Sequence, residues 1–247
     1  MFKLTEKQQE IIACSSQVKL VIGGHRSGKT ILAIMNMWNY MKLFKNPNLR
    51  CAFLVNSDRL IRYSEREIKR LISIDNIINT TLRHDSITIE TKFGYIMIST
   101  QLIPIRYDNI TIDNATSNKY ATTDILKEGS NIYITGHLPD DINNSFFRWW
   151  LKEYFADTKR VSAFRISENY TKIEDKEEAM INSIGIRRFN RDYKAIPDYM
   201  SSDYEKNQQQ AFKRENLAEF IEKVENNEIS FNPKSPFFMG FDKAKDD

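Results

Sequence analysis

The chain has 247 residues, of which 41% are hydrophobic, 12% aromatic and 28% charged, with a net charge of +3. That apolar fraction can supply a core, which excludes wholesale disorder, and the length suits one large α/β domain or two modest ones. The mildly basic balance admits a nucleic-acid partner without arguing for one. No apolar run approaches the ~20 residues of a bilayer span, and the charged start Met1-Phe2-Lys3-Leu4-Thr5-Glu6 lacks the apolar stretch of a signal peptide, so an intracellular, soluble protein with no membrane partner is expected. Cys14 and Cys51 stand far apart with no CxxC or Cys/His cluster, which predicts free thiols and no zinc site.

In chain order, Lys19 to Gly24 is a short β-branched run that predicts a buried strand, and Thr30 to Phe44 has helical apolar spacing before Pro47. Arg50 to Val55 predicts a second buried strand, followed by a charged amphipathic helix over Asp58 to Ile72. Within Ile77 to Thr100, Ser86-Ile87-Thr88-Ile89-Glu90 alternates, Phe93-Gly94 turns and Tyr95-Ile96-Met97-Ile98 returns, which predicts an inserted antiparallel hairpin. Asn109 to Asp113, Asn131 to Thr135 and Val161 to Ile166 read as further strands, Phe146 to Phe155 as an aromatic helix, and Glu174 to Ile184 and Ile186 to Ala195 as helices split by Gly185. Alternating buried strands and helices predict an α/β fold, a mainly parallel sheet with helices on both faces. After Pro197 the composition turns polar. A helix is expected over Asn207 to Val224 and a new strand over Ser235 to Asp242, with a domain boundary between Asp198 and Lys206.

Gly23-Gly24-His25-Arg26-Ser27-Gly28-Lys29-Thr30 fits G-x-x-x-x-G-K-[ST] between a strand and a helix, the setting a P-loop requires. Its glycines let successive backbone N–H groups face phosphate oxygens, and the helix N-terminus adds its dipole. Lys29 is expected to meet the β- and γ-phosphates, and the Thr30 hydroxyl to ligate Mg²⁺. With only eight glycines in the chain, three of them placed correctly here carry the assignment. Asp113, closing Ile110-Thr111-Ile112, is the expected second Mg²⁺ group (Walker B), and Asn114 follows it. An amide can position water but cannot take its proton; Asp108 and Asp124 are the substitutes the sequence offers for that task.

Several short motifs in this order resemble the ATPase domain of the large terminase subunit of tailed phages, the motor that pumps DNA into a prohead. Leu4-Thr5-Glu6-Lys7-Gln8 is similar to that family's adenine-recognising segment, which implies that Gln8 binds the base edge. Arg26 within the P-loop looks like the family's variant and implies a contact to γ-phosphate charge. Ile132-Tyr133-Ile134-Thr135-Gly136-His137-Leu138-Pro139 resembles the coupling motif, with Thr135 reading the γ-phosphate. Phe189-Asn190-Arg191-Asp192-Tyr193 is similar to its closing Phe-x-x-Glu-Tyr segment. Met239-Gly240-Phe241-Asp242 resembles the first strand of an RNase H-like nuclease, with Asp242 in the place of a metal ligand. Without its partner carboxylates the nuclease metal site is incomplete, and no DNA cleavage is expected from this chain alone.

The resemblance implies a P-loop NTPase fold (ASCE/RecA-like) with the inserted hairpin, an ATPase domain over 1–200, a helical linker over 201–235 and a nuclease strand over 236–247. It implies ATP and Mg²⁺ as cofactors. The partners would be double-stranded DNA, a portal and a small terminase subunit, with the chain in a homo-oligomeric ring in the infected host's cytoplasm. Asn114 departs from the glutamate that the family usually places after the aspartate, which leaves a nucleotide-dependent assembly or regulatory subunit as the alternative. A trans-acting arginine is expected at Arg106, with Arg83 also between the second strand and Asp113. A small kinase fits less well because 136–145 lacks lid arginines, and a helicase because the remaining length cannot hold a second RecA-like domain. The basic run Arg59, Arg62, Arg66, Lys69, Arg70 reads first as a solvated helical face and second as a DNA track, and His25, His84 and His137 as non-ligands.

Overall fold

The β-branched runs assemble side by side because each is apolar on both faces and buries only when helices cover it twice. In the computed structural model, which describes residues 4–83, 85–139, 143–156, 160–166 and 177–196, eight strands form one sheet. In chain order the elements are α1 Glu6–Ala13, β1 Val18–Gly23, α2 Lys29–Phe44, β2 Arg50–Leu54, α3 Asp58–Leu71, β3 Ile77–Leu82, β4 Ser86–Thr91 and β5 Gly94–Ser99. Then come β6 Tyr107–Ile112, β7 Gly129–Gly136, α4 Ser145–Ala156, β8 Val161–Ile166, α5 Glu177–Ile184 and α6 Ile186–Lys194. The sheet order is β3-β4-β5-β2-β6-β7-β1-β8. The six strands from β5 to β8 in that order run parallel, and β3 and β4 are antiparallel at one edge.

One strand, β7, therefore lies between β1, which leads into the P-loop, and β6, which leads to Asp113. This is the strand order of an ASCE/RecA-like P-loop fold, with the carboxyl ends of β1, β6 and β7 on one rim. The expected hairpin does not stand apart from the sheet. Its second strand, β5, pairs in parallel with β2 from Arg50↔Tyr95 to Leu54↔Ser99, and its first strand carries the further edge strand β3. Polar β3, with its sparse Ile-Ile-Asn-Thr-Thr-Leu pattern, gave no alternation strong enough to read as a strand.

Two cores flank the sheet. Ile11, Leu32, Ile34, Met37, Ile61 and Ile68 of α1, α2 and α3 pack on one face, and Phe146, Phe147, Trp149 and Trp150 of α4 on the other. Trp150 is buried and donates its indole N–H to the Phe164 carbonyl at 3.0 Å, so the aromatic helix is core. The face under α2 is polar in places. Asn109 and Thr111 of β6 are fully buried, with Thr111 donating to Asn109 Oδ1 and Asn109 to Asn131 Oδ1. The alternation in Asn-Ile-Thr-Ile-Asp is thus a buried polar seam leading to Asp113, where such a pattern ordinarily marks a strand with one wet face. The linker helix over 207–224, the boundary at 198–206 and the strand with Asp242 lie outside the described residues.

Along this seam the Tyr133 hydroxyl is buried and has no hydrogen-bond partner among the described residues. A buried hydroxyl without a partner costs about 1–3 kcal/mol. Tyr133→Phe should therefore stabilise the protein by about 1 kcal/mol in urea unfolding, and a loss of similar size would show that the hydroxyl is bonded in solution.

Candidate functional site

β1 ends at Gly23 and α2 begins at Lys29, so the intervening loop must reverse within five residues. It does so through left-handed backbone at Arg26 (φ 61°) and at Gly28 (φ 78°), a conformation that glycine adopts without a Cβ penalty. The two helices at the site begin differently. α1 carries a capping box, in which Thr5 and Gln8 satisfy each other's backbone donors. α2 has no side-chain cap, and its first helical bond runs from the Leu32 N–H to the Gly28 carbonyl at 2.9 Å. The uncapped amides of its first turn and the helix dipole together favour an anion.

Asp113 follows β6 and is held by its backbone N–H on the Leu54 carbonyl. Its carboxylate accepts the Thr30 hydroxyl on Oδ2 at 2.7 Å and the Thr135 hydroxyl on Oδ1 at 2.8 Å. Three residues predicted from separate stretches of sequence thereby meet across α2, β6 and β7. The Lys29 ammonium is buried. It donates to the Gly23 and Gly24 carbonyls at 2.8 and 2.6 Å and also contacts Ser27 Oγ and His137 Nδ1, each at 3.4 Å. Burial pushes its pKa down to about 8, opposed by Asp113.

Gln8 reaches the loop with its carboxamide turned inward. It donates to the Ser27 carbonyl at 2.9 Å, accepts from the Thr5 N–H at 3.0 Å, and is 1% exposed. What the structure shows is a brace between α1 and the P-loop. His25 and Arg26 are exposed on the loop, and Thr135 is fully buried behind Asp113. Asn114 takes the left-handed conformation (φ 61°, ψ 57°), which asparagine tolerates better than most residues, and starts a short 3-10 turn, Ala115–Ser117.

Strand direction corrects one expectation, that Asp108 or Asp124 could serve as a base. Asp108 lies in the first half of β6 and accepts the Arg50 N–H, and Asp124 sits in the turn before β7 begins, so both are at the amino ends of strands and cannot stand in for a base near Asp113. Arg106 precedes β6 at that same end, roughly 20 Å of strand from Asp113 at ~3.3 Å per residue. There it lines a cavity of about 520 Å³ with Gln17, Ile105 and Leu126, and it takes no part in the P-loop site of its own chain. Arg83, in the turn from β3 to β4, is at the carboxyl end of β5 and β2, because Ser86 pairs with Ser99.

Sequence reasoning missed the contribution of α6 and of two histidines. The His25 N–H donates to the Asp192 carbonyl at 2.5 Å, and the His25 ring lies 4.3 Å from that of His137 and 5.4 Å from that of Tyr193. A methyl at Gly24 would stand 1.9 Å from the Tyr193 carbonyl oxygen, so only glycine lets α6 rest on the loop. The one sequence signal was the order of the Phe-x-x-Asp-Tyr segment, which says nothing about where it docks. Among the described residues no group of three or more His, Cys, Asp or Glu could hold a metal ion, so a cation at Thr30 and Asp113 would be bound jointly with a phosphate ligand. No helix of the described residues is long and apolar enough to cross a membrane.

Gly24→Ala should detach α6 from the loop, read as faster amide exchange throughout Ile186–Lys194; unchanged protection there would contradict the close approach. A second prediction concerns acid. Burial first, then Lys29 and His25, push His137 down to about 3, with Asp192 and a backbone hydrogen bond to Gly23 opposing. The unfolded chain therefore takes up this proton first. The group's stabilising effect is full above about pH 6.5 and is lost toward about pH 3, at roughly 1.4 kcal/mol per pH unit. Replacing it in His137→Asn should flatten the acid limb of Tm against pH, and an unchanged limb would contradict a neutral His137.

No family model matches this sequence, and no curated protein does. Solved structures do. The large terminase of the thermophilic bacteriophage D6E superposes with a TM-score of 0.62 at 13% identity, over 78% of this chain and 53% of that one. The large terminase ATPase domain of Thermus phage P74-26 gives 0.57 at 11% identity, over 78% of this chain and 93% of that domain. The large terminase of bacteriophage HK97 gives 0.55 at 9% identity, over 92% of this chain and 49% of that one. The chain thus spans about half the length of the two large terminases, and nearly all of the separate ATPase domain. At these identities the likeness establishes architecture: this chain has the fold of phage large terminase ATPase domains.

Proposed function

We propose that this chain is an ATP-binding and ATP-hydrolysing motor domain that powers translocation of double-stranded viral DNA into a prohead. It would act in the infected host's cytoplasm as a homo-oligomeric ring, beside a portal and a small terminase subunit. The observation that carries the reading is the Asp113 carboxylate, which gathers the Thr30 and Thr135 hydroxyls beside an uncapped helix N-terminus. The likeness to large terminases supports it, and the D6E protein has been solved in complex with ATP-γ-S and with ADP.

Thr30 and Asp113 are suited to a hard divalent cation, since they offer oxygen alone. Bound there with a nucleotide, Mg²⁺ would shield and polarise phosphate charge. The chain's own residues supply the rest. The open amides of the α2 N-terminus bind phosphate oxygens, and Lys29 places a positive charge among them. Gln8 braces the loop, and exposed Arg26 would contact γ-phosphate charge. Thr135, bonded to Asp113, couples that carboxylate to β7. The Asn114 amide orients the attacking water without accepting its proton. Arg106 is the arginine proposed to act on a neighbour's site, with Arg83, at the carboxyl ends of β2 and β5, as the other candidate.

A second reading rests on Asn114. Its lack of a basic oxygen forgoes a general-base contribution of typically 10²–10⁴-fold, so the chain would hold ATP as an assembly or regulatory subunit. Wild-type protein with DNA and portal should turn over ATP faster than protein alone, and Lys29→Ala should lose ATP binding. No turnover in the wild type, restored by Asn114→Glu, would contradict the motor and support the second reading. Unchanged ATP affinity in Lys29→Ala would contradict the phosphate site itself.

A further inference from the structure

The Lys29 ammonium has three protons and four acceptors within 3.4 Å. Gly23, Gly24 and Ser27 belong to the loop and draw it inward. His137 follows directly after β7 and stands outside the P-loop motif. An ammonium can only donate, so as a hydrogen bond this contact requires an unprotonated Nδ1; a neutral ring then carries its proton on Nε2, and the ring also bonds the Gly23 backbone.

The ring is held in place. The His137 N–H donates to Thr116 Oγ1 at 3.1 Å, and the Thr116 hydroxyl donates back to the His137 carbonyl at 2.7 Å. His25 lies against the imidazole, with ring centroids 4.3 Å apart. The preceding Gly136 packs so closely that a methyl there would stand 2.5 Å from the Phe146 ring. Thr116 is two residues past Asn114, so the same lock ties the histidine to the segment leaving Asp113.

We propose that His137 is a positioning residue for Lys29: its Nδ1 balances the pull of the loop carbonyls and keeps the ammonium turned toward β7, on the side of Asp113 and Thr135. The inference rests on the nucleotide-binding reading above. Its consequence is that ATP affinity depends on an acceptor at this position, and not on an aromatic ring there.

Two substitutions separate those features. In His137→Asn a carboxamide oxygen can occupy the place of Nδ1 while the ring is lost; His137→Phe keeps a ring and loses the acceptor. A fluorescent ATP analogue should bind His137→Asn within about twofold of wild type and His137→Phe about three- to tenfold more weakly, the effect of one hydrogen bond. Equal binding by all three proteins overturns the proposal. So does an equal loss in both variants, which assigns the effect to the ring. A second measurement needs neither nucleotide nor variant: ¹⁵N spectra of the nucleotide-free wild type should show His137 as the Nε2–H tautomer. A protonated Nδ1 overturns the proposal even where the variants fail to fold. Wild-type protein that binds no ATP analogue overturns the nucleotide-binding reading, and this inference with it, whatever the tautomer.

Discussion

A carboxylate at the end of a buried strand is costly to desolvate unless its lone pairs find donors. Asp113 finds them in two threonine hydroxyls, one from α2 and one from β7. That double hydrogen bond depends on β7 lying between β1 and β6, since the order brings the helix after the P-loop and the end of β7 to the same carboxylate. The rest of the site follows from it. The N-terminus of α2 is aimed along the rim, Lys29 is packed beside β7, and the turn after Asp113 is tied to His137 through Thr116.

The second constraint is steric and lies on the opposite side of the loop. Gly24 and His25 are engaged by the Tyr193 backbone and the Asp192 carbonyl, so the apex of the P-loop serves as the floor for α6. With the Gly24 and His25 N–H groups given to the Ile166 and Asp192 carbonyls, the uncapped first turn of α2 is where the loop presents donors to an anion. Arg188 and Arg191 pair with the Asp192 side chain, at 3.3 and 2.8 Å, and steady the turn that carries the contact.

Much of this was legible in the sequence because the signals were local. The P-loop needs a strand, glycines and a helix in immediate succession, and Asp113 needed only an apolar strand to end on it. The parallel sheet followed from strands alternating with helices. What was not legible depended on strand direction or on contacts distant in sequence. Arg106 and Asp108 are near Asp113 in sequence but at the other end of β6, because an extended strand carries consecutive residues away from one another. Both β6 and β7 were legible as strands, but the hydrogen bonds that let Asn109, Thr111 and Asn131 lie under α2 run between strands and leave no local signal. Gln8 offered no sign that its amide would be used by the Ser27 carbonyl. His137 gave no motif of its own, and only the fold brings it to Lys29. The basic run of α3, by contrast, came out as pattern alone predicts, with Arg62 and Lys69 paired to Glu65 on an exposed face.

Asp113, Thr30 and Lys29 are proposed to form the cation and phosphate site of a nucleotide. A crystal structure with Mg²⁺ and a non-hydrolysable ATP analogue tests it most directly. The expected result is a cation beside the Thr30 hydroxyl in front of Asp113, and a Lys29 ammonium drawn off the Gly23 and Gly24 carbonyls onto phosphate oxygens. A nucleotide bound elsewhere, or a Lys29 that stays on those carbonyls with the analogue in place, would contradict it.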